Sequence, residues 1–501
     1  MLSYDFDVSA LDPNTPILVG VAEIQQCEDD PSRAKEALAL MVDALEGAAR
    51  DACGAAAGDL LTGLEQLAIP QGLWHYVNPA GAVAAEVGAK GCFSVHAELG
   101  ILQQSLMAQA CEAIASGELN IAAVVGGEAK YRALRAQILD VALTDSQQET
   151  VPDRVLKPEA EFWDEVETAA GLAMPVGFYA IMESALRAEQ KLDIETHRDQ
   201  LADMYQAFAE TAKDNPNAWH RDGMSAEQIR SPSAKNKMLA FPYTKFHNTQ
   251  WNVDQAAALI FCSVRHAQAL GIPQDKWIFP LGSAESNVMV NLAQRPELQG
   301  SAGATLAGEA VLKAAGLSVT DIDYFDLYSC FPAAVKIYAR ALGIDLGRQL
   351  TVTGGMTFAG GPLNNYVLQA TARMATLLRD KPKAKGLISS VSGMLTKQAW
   401  GLWSSAPNAL AFKNSDVSAD VRAKEKVLKV VAPSVGEAVI VGYTVLYQGG
   451  QPQRLIAVCD LPTGDRTVVF SEQAATMQIA VGEECVGRAV RIVDERRFEL
   501  L

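Results

Sequence analysis

Residues 100–129, GILQQSLMAQACEAIASGELNIAAVVGGEA, decide how this chain folds. Gly100 opens a sharp turn, apolar positions then recur at helical spacing from about Leu102 to Ser116, and 121–125 is a continuous apolar run closed by Gly126-Gly127. A helix leading into a buried strand is the repeating unit of a parallel sheet with helical crossovers. Toward the N-terminus, 92–95 reads as the strand before that turn, 80–89 and 32–52 as helices, 64–70 and 17–22 as strands. Toward the C-terminus the alternation restarts after Asn252. Strands at 257–264, 277–283, 324–328, 386–390 and 400–404 are interleaved with helices at 304–315, 331–342 and one ending near Leu378. Glycine turns at Gly354-Gly355 and Gly360-Gly361-Pro362 punctuate this part. The expected fold is α/β, with one architecture occurring in 1–270 and again in 271–412 and no sequence identity visible between the copies.

Two regions interrupt the pattern. Between about 130 and 245 the chain becomes irregular and polar, with prolines at Pro152, Pro158, Pro175 and Pro216, and reads as an inserted loop domain. Beyond about Ala423 helices vanish, and short β-branched runs at 426–431, 438–447, 454–460 and 467–470 are separated by Gly449-Gly450 and 462–465. That spacing predicts a β-barrel-like domain over 424–501, of oligonucleotide/oligosaccharide-binding (OB) type.

The balance of 59 acidic against 42 basic residues gives a net charge of −17, a field that repels phosphate backbones and argues against a nucleic-acid partner. An anionic ligand needs positive groups gathered locally. The stretch 230–245, RSPSAKNKMLAFPYTK, carries Arg230, Lys235, Lys237 and Lys245 with no acidic residue among them. The same residues fit a solvated loop equally well. Eight cysteines without paired short spacing, and no basic-then-apolar leader at Met1, fit reduced thiols in a cytoplasm. Apolar runs such as 256–264 fall far below the roughly 18 residues that span a bilayer, so no membrane segment is expected.

Four segments together carry a family resemblance: 100–129, 323–343 (DYFDLYSCFPAAVKIYARALG), 354–366 (GGMTFAGGPLNNY) and 386–397 (GLISSVSGMLTK). They resemble the active-site segments of the thiolase superfamily. More narrowly, they look like the type 1 thiolase-like proteins, often labelled acetyl-CoA acetyltransferases, that carry an extra C-terminal domain. The resemblance covers roughly 15–410 plus that domain. It implies a duplicated thiolase fold in αβαβα layers and an acyltransferase acting on coenzyme A (CoA) thioesters in lipid metabolism, with CoA or acyl-CoA as substrate or ligand. It implies no tightly bound cofactor and no metal, and it leaves a homodimer or a partner protein open.

Thiolases accept the acyl group on a cysteine at a helix N-terminus, where the dipole lowers the thiol pKa, and use a histidine and a second cysteine to move protons. Laid onto this chain, the nucleophile position falls on or next to Gly100, the histidine becomes Gly361, and the second cysteine becomes Val391, followed by Ser392-Gly393. The Asn-Glu-Ala-Phe segment becomes Tyr328-Ser329-Cys330-Phe331. An acyl-enzyme by the usual route is therefore not expected. The catalytic candidates are Tyr328 and Cys330, at the end of a strand where open α/β folds bind ligands, and Tyr366, in the first turn of a helix. Each also fits a packed, satisfied side chain. The candidates for holding the CoA ester are Arg230, Lys235, Lys237, His247, Gly100, Gly360, Gly361, Asn364, Asn365, Ser392 and Gly393. His96 and His247 fit structural roles as well as functional ones. Three functions remain: an acyltransferase without the cysteine, a retro-aldol lyase using tyrosine, and a carrier or sensor that binds CoA esters without turnover.

Overall fold

A computed structural model describes residues 6–159 and 163–501. The first sheet runs 16–26, 254–263, 121–129, 66–70, 93–97, 154–156; 254–263 is antiparallel to both of its neighbours and the remaining pairings are parallel. The second runs 324–326, 385–392, 397–404, 279–286, 414–416. In both, the first strand (16–26, 279–286) pairs antiparallel with a later one (254–263, 397–404), which pairs antiparallel with a third (121–129, 385–392). That third strand in turn lies parallel to a fourth, 66–70 or 324–326. The duplication read from element order is thus a duplication of topology. Main-chain bonds between Leu18 and Ile278 join the two halves directly.

Helices Gln103–Ala115 and Tyr366–Arg379 each pack on strands of both sheets and form the central layer. Both are buried over most of their length, and their exposed positions fall in their C-terminal halves. Ala37–Cys53 and Pro79–Glu86 cover the outer face of the first sheet, Ala302–Ala315 and Pro332–Leu342 that of the second, completing the αβαβα order. The outer edge of Phe93–Ala97 is occupied by 154–156.

Three expectations are corrected. The region 130–245, expected to be irregular, is largely helical. Its core is Pro175–Gln190 and Ile194–Lys213, the second capped by Asp193 accepting from the Thr196 amide, with Leu201, Tyr205, Phe208 and Ala212 turned inward at helical spacing. The C-terminal strands run 466–471, 451–460, 436–448, 489–492, 498–500, and a single bridge, Phe470 to Arg497, links the two outer segments, so a closed barrel is not shown. Helices also do not vanish there. Ala474–Gly482 is helical, and its sequence, AATMQIAVG, is apolar all round, so its pattern could not be told from a strand. Strand Met238–Ala240, inside the basic stretch, joins this third sheet at Ala240 and Leu446. No helix among the described residues is long and apolar enough to cross a membrane.

Candidate functional site

The two central helices begin facing each other, and one side chain ties their ends. Gln103 accepts from the Val367 amide at 2.7 Å and donates to Asn364 Oδ1 at 3.3 Å. One of the free first-turn donors of the 366–379 helix is thereby satisfied across the layer. Beside it Asn365 is 2% exposed with neither its amide nitrogen nor its oxygen partnered, and Asn364 Nδ2 is unpartnered too. Buried groups of this kind are costly unless a ligand or water completes them. Gly360 and Gly361 form the turn above. A Cβ on Gly360 would lie 2.2 Å from Gln255 Oε1, and its φ of 101° excludes most side chains.

Tyr366 stands in the first turn of its helix with its hydroxyl donating to Asp326 Oδ1 at 2.8 Å and paired with Thr353 Oγ1 at 2.7 Å. Asp326 also takes the Val352 amide and the Thr351 hydroxyl, so Tyr366 braces the end of strand 324–326. Burial and the Asp326 charge hold its phenol well above the usual range. The strand stops at Asp326, so Tyr328 and Cys330 lie on a turn and the alternation rule does not place them. Both are nearly buried. The Tyr328 amide donates to Ser389 Oγ at 2.8 Å and its ring meets Tyr366 edge-on at 5.8 Å, while its hydroxyl makes no hydrogen bond to any described residue. Burial raises the Tyr328 phenol beyond its usual range and pushes the Cys330 thiol up to about 12. Neither is ionised at neutral pH.

Gly100, at φ 107°, accepts Lys397 Nζ at 3.0 Å. Gly393 O receives the Tyr179 hydroxyl, and the carbonyls of Ser392 and Met394 are bonded to Thr396 and Arg295. The basic stretch divides. Arg230 is committed to Glu195 and Asp199, whereas Lys235, Lys237 and Lys245 are exposed and form no ion pair among the described residues. His247 is buried between Tyr205 and Tyr243 with Nδ1 against Thr244 Oγ1, and burial lowers its pKa to about 3, so it is a neutral turn cap. His96 packs edge-on to Trp74.

Two cavities are lined by none of the candidate residues read from the sequence. One of about 340 Å³ is lined by Trp74, Tyr76, Glu128, Lys130, Arg132 and Asp145, and burial raises Glu128 there to about 7. The other is a narrow space beside Arg295 and Thr396. Lys397, Tyr179 and Arg295 went unread in the sequence. Lys397 had a signal, a lone cation heading an apolar strand, KQAWGLWS.

No protein-family model matches the chain. Two curated proteins, the 3-ketoacyl-CoA thiolases of Salmonella typhimurium and Salmonella typhi, are each 27% identical over 143 residues, 28% of this chain and 35% of theirs. The match thus spans about a third of those relatives. Among solved structures, a monomeric SCP2-thiolase like protein type 1 from Mycobacterium smegmatis matches at TM-score 0.82 and 26% identity, covering 98% of this chain and 100% of that one. The Ltp2-ChsH2(DUF35) aldolase matches at TM-score 0.58 and 17% identity over 79% of this chain and 99% of that one. Human mitochondrial 3-ketoacyl-CoA thiolase in complex with CoA matches at TM-score 0.53 and 16% identity over 78% and 98%. With the αβαβα layers and duplicated topology above, these place the chain in the thiolase superfamily.

Proposed function

We propose that this protein binds a CoA thioester where the two central helices begin, and handles it without forming an acyl-enzyme. The observation that carries the reading is the pair of unpartnered side-chain amide nitrogens of Asn364 and Asn365 at converging helix N-termini. Donors held there favour an oxygen that gains negative charge, as a thioester carbonyl does. By resemblance to the thiolase segments, the thiol position falls on or next to Gly100, the imidazole position on Gly361 and the second cysteine on Val391, so the usual acyl-accepting groups are not there. The CoA phosphates are assigned to Lys235, Lys237 and Lys245.

Calorimetry with CoA and acetyl-CoA tests this. Binding heat is expected with no acetyl mass added to the protein, and Lys235→Glu/Lys237→Glu is expected to weaken binding at least about tenfold, the worth of one charge-assisted hydrogen bond. Absence of heat for both ligands at millimolar concentration refutes the reading.

One observation favours a second reading, a carbon–carbon lyase of retro-aldol type. The Tyr328 hydroxyl is unengaged beside the site. In such a reaction a base takes the β-hydroxyl proton, the Cα–Cβ bond breaks to leave a carbonyl product and the thioester enolate, and a phenol such as Tyr328 protonates the enolate carbon. Release of aldehyde or ketone from β-hydroxyacyl-CoA substrates distinguishes it from binding without turnover.

A further inference from the structure

Strand Lys397–Ser404 lies between two others in the second sheet and is buried along its whole length, yet it starts with a lysine. Lys397 is 2% exposed. Its Nζ has one hydrogen bond, to the Gly100 carbonyl at 3.0 Å, and no ion pair among the described residues. Glu285 and Glu159 are the acids close enough to act on it electrostatically, and Glu285 is itself engaged by Ser105 and Asn287.

A lysine is seldom buried so deeply without a carboxylate. Two features favour the free amine over the ammonium. The side chain is desolvated with only a neutral carbonyl as acceptor, and it approaches the turn that feeds the positive end of the 103–115 helix, where a second positive charge is disfavoured. Burial accordingly holds its pKa below the usual lysine range. An amine that gives up its proton more readily than an ordinary lysine is the better nucleophile. This one hangs on the residue beside which the family's thiol would stand.

We propose that Lys397 is the nucleophile of this site and takes the keto carbon of a 3-ketoacyl thioester as an imine. The inference rests on the CoA-thioester reading above. The nitrogen lone pair forms the bond to the keto carbon while the carbonyl π pair moves to oxygen. That oxygen collects two protons, both shed by the nitrogen, and leaves as water, so C=N replaces C=O with no oxidant or other reactant. Gln103, in the first turn of the helix that Gly100 leads into, donates to Asn364 Oδ1, and the unpartnered amide nitrogens of Asn364 and Asn365 supply donors for the oxygen of the tetrahedral intermediate. The imine draws electrons from the carbon between it and the thioester, which loosens that carbon's proton. An acyl thioester with no keto group forms no such adduct.

The test uses two probes on the full chain. Acetoacetyl-CoA with cyanoborohydride traps the imine as a secondary amine. Acetylacetone, a free 1,3-diketone, condenses with a neutral lysine as an enaminone without needing a CoA site. Trypsin does not cut after a modified lysine, so the adduct appears on a peptide running through Lys397 to Lys413. Both probes are expected to label that peptide, with loss of label in Lys397→Arg, which keeps a donor to Gly100, and in Lys397→Met as a second variant. Calorimetry in parallel separates the two claims. Binding heat for acetoacetyl-CoA with no label at Lys397 overturns the nucleophile and leaves the CoA reading standing. Acetylacetone label at Lys397 with no CoA binding does the reverse, and label spread equally over exposed lysines also overturns the assignment.

Discussion

At the candidate site, Tyr328, Cys330 and Tyr366 are buried as neutral groups. Behind it, where helices 175–190, 194–213 and 332–342 meet, Glu183 and Lys336 are buried as an ion pair. Glu183 Oε1 accepts Lys336 Nζ at 2.7 Å and the His197 Nε2 proton at 2.8 Å, and its other oxygen accepts the Tyr243 hydroxyl. Tyr243 in turn accepts the Ala333 amide, the first turn of the helix that follows Cys330 and Phe331. Burial alone would raise Glu183, but Lys336 and His197 outweigh it and hold the carboxylate far below its usual range. Burial lowers His197, whose Nδ1 has no partner, so the imidazole is neutral. Buried titratable groups therefore mark packing at the junction, where every charge is answered. At the candidate site the informative groups are the unanswered ones, Asn365 and the Tyr328 hydroxyl.

The largest expected effect lies at the junction. Lys336→Met leaves Glu183 as an uncompensated buried charge and should destabilise the protein by about 3–5 kcal/mol in urea unfolding. The double variant Glu183→Leu/Lys336→Met should recover most of that, because two apolar side chains of similar volume avoid the desolvation cost. A loss under about 1 kcal/mol in the single variant would erase the contrast between the two regions. The junction also sets an acid limb. With the folded pKa of Glu183 depressed below its ordinary 4.5, the pair's stability is present above that value and is lost as pH falls below it. In Lys336→Met the ammonium is gone and burial raises the same carboxyl, so acidification should cost that variant less. Urea midpoints between pH 6 and pH 3.5 check the sign.

How far the sequence carried can be seen at particular residues. The turn at Gly100 and the strand 121–129 were legible because apolar period and glycine placement are local signals. Helix 194–213 was missed although its cap Asp193 and inward spacing are equally local, since its charged outer face dominated the composition of the region. Arg230 read as a free cation because its partners Glu195 and Asp199 lie outside the basic stretch, brought back by a helix. The Glu183–Lys336 pair was out of reach for the same reason. What a buried charge means depends on the group it meets, and those groups are far apart in sequence.

Smaller effects separate the tyrosines of the candidate site. Tyr366→Phe removes a donor from Asp326, a buried carboxylate, and should cost about 1–3 kcal/mol of stability. Tyr328→Phe removes a hydroxyl that no described residue meets, so its stability should stay within about 0.5 kcal/mol of the parent. If the lyase reading holds, that same variant loses carbonyl release from β-hydroxyacyl-CoA while CoA binding stays intact. A Tyr328→Phe protein destabilised as much as Tyr366→Phe would mean that the Tyr328 hydroxyl is a packing group after all, and the site would then hold no tyrosine free for proton transfer.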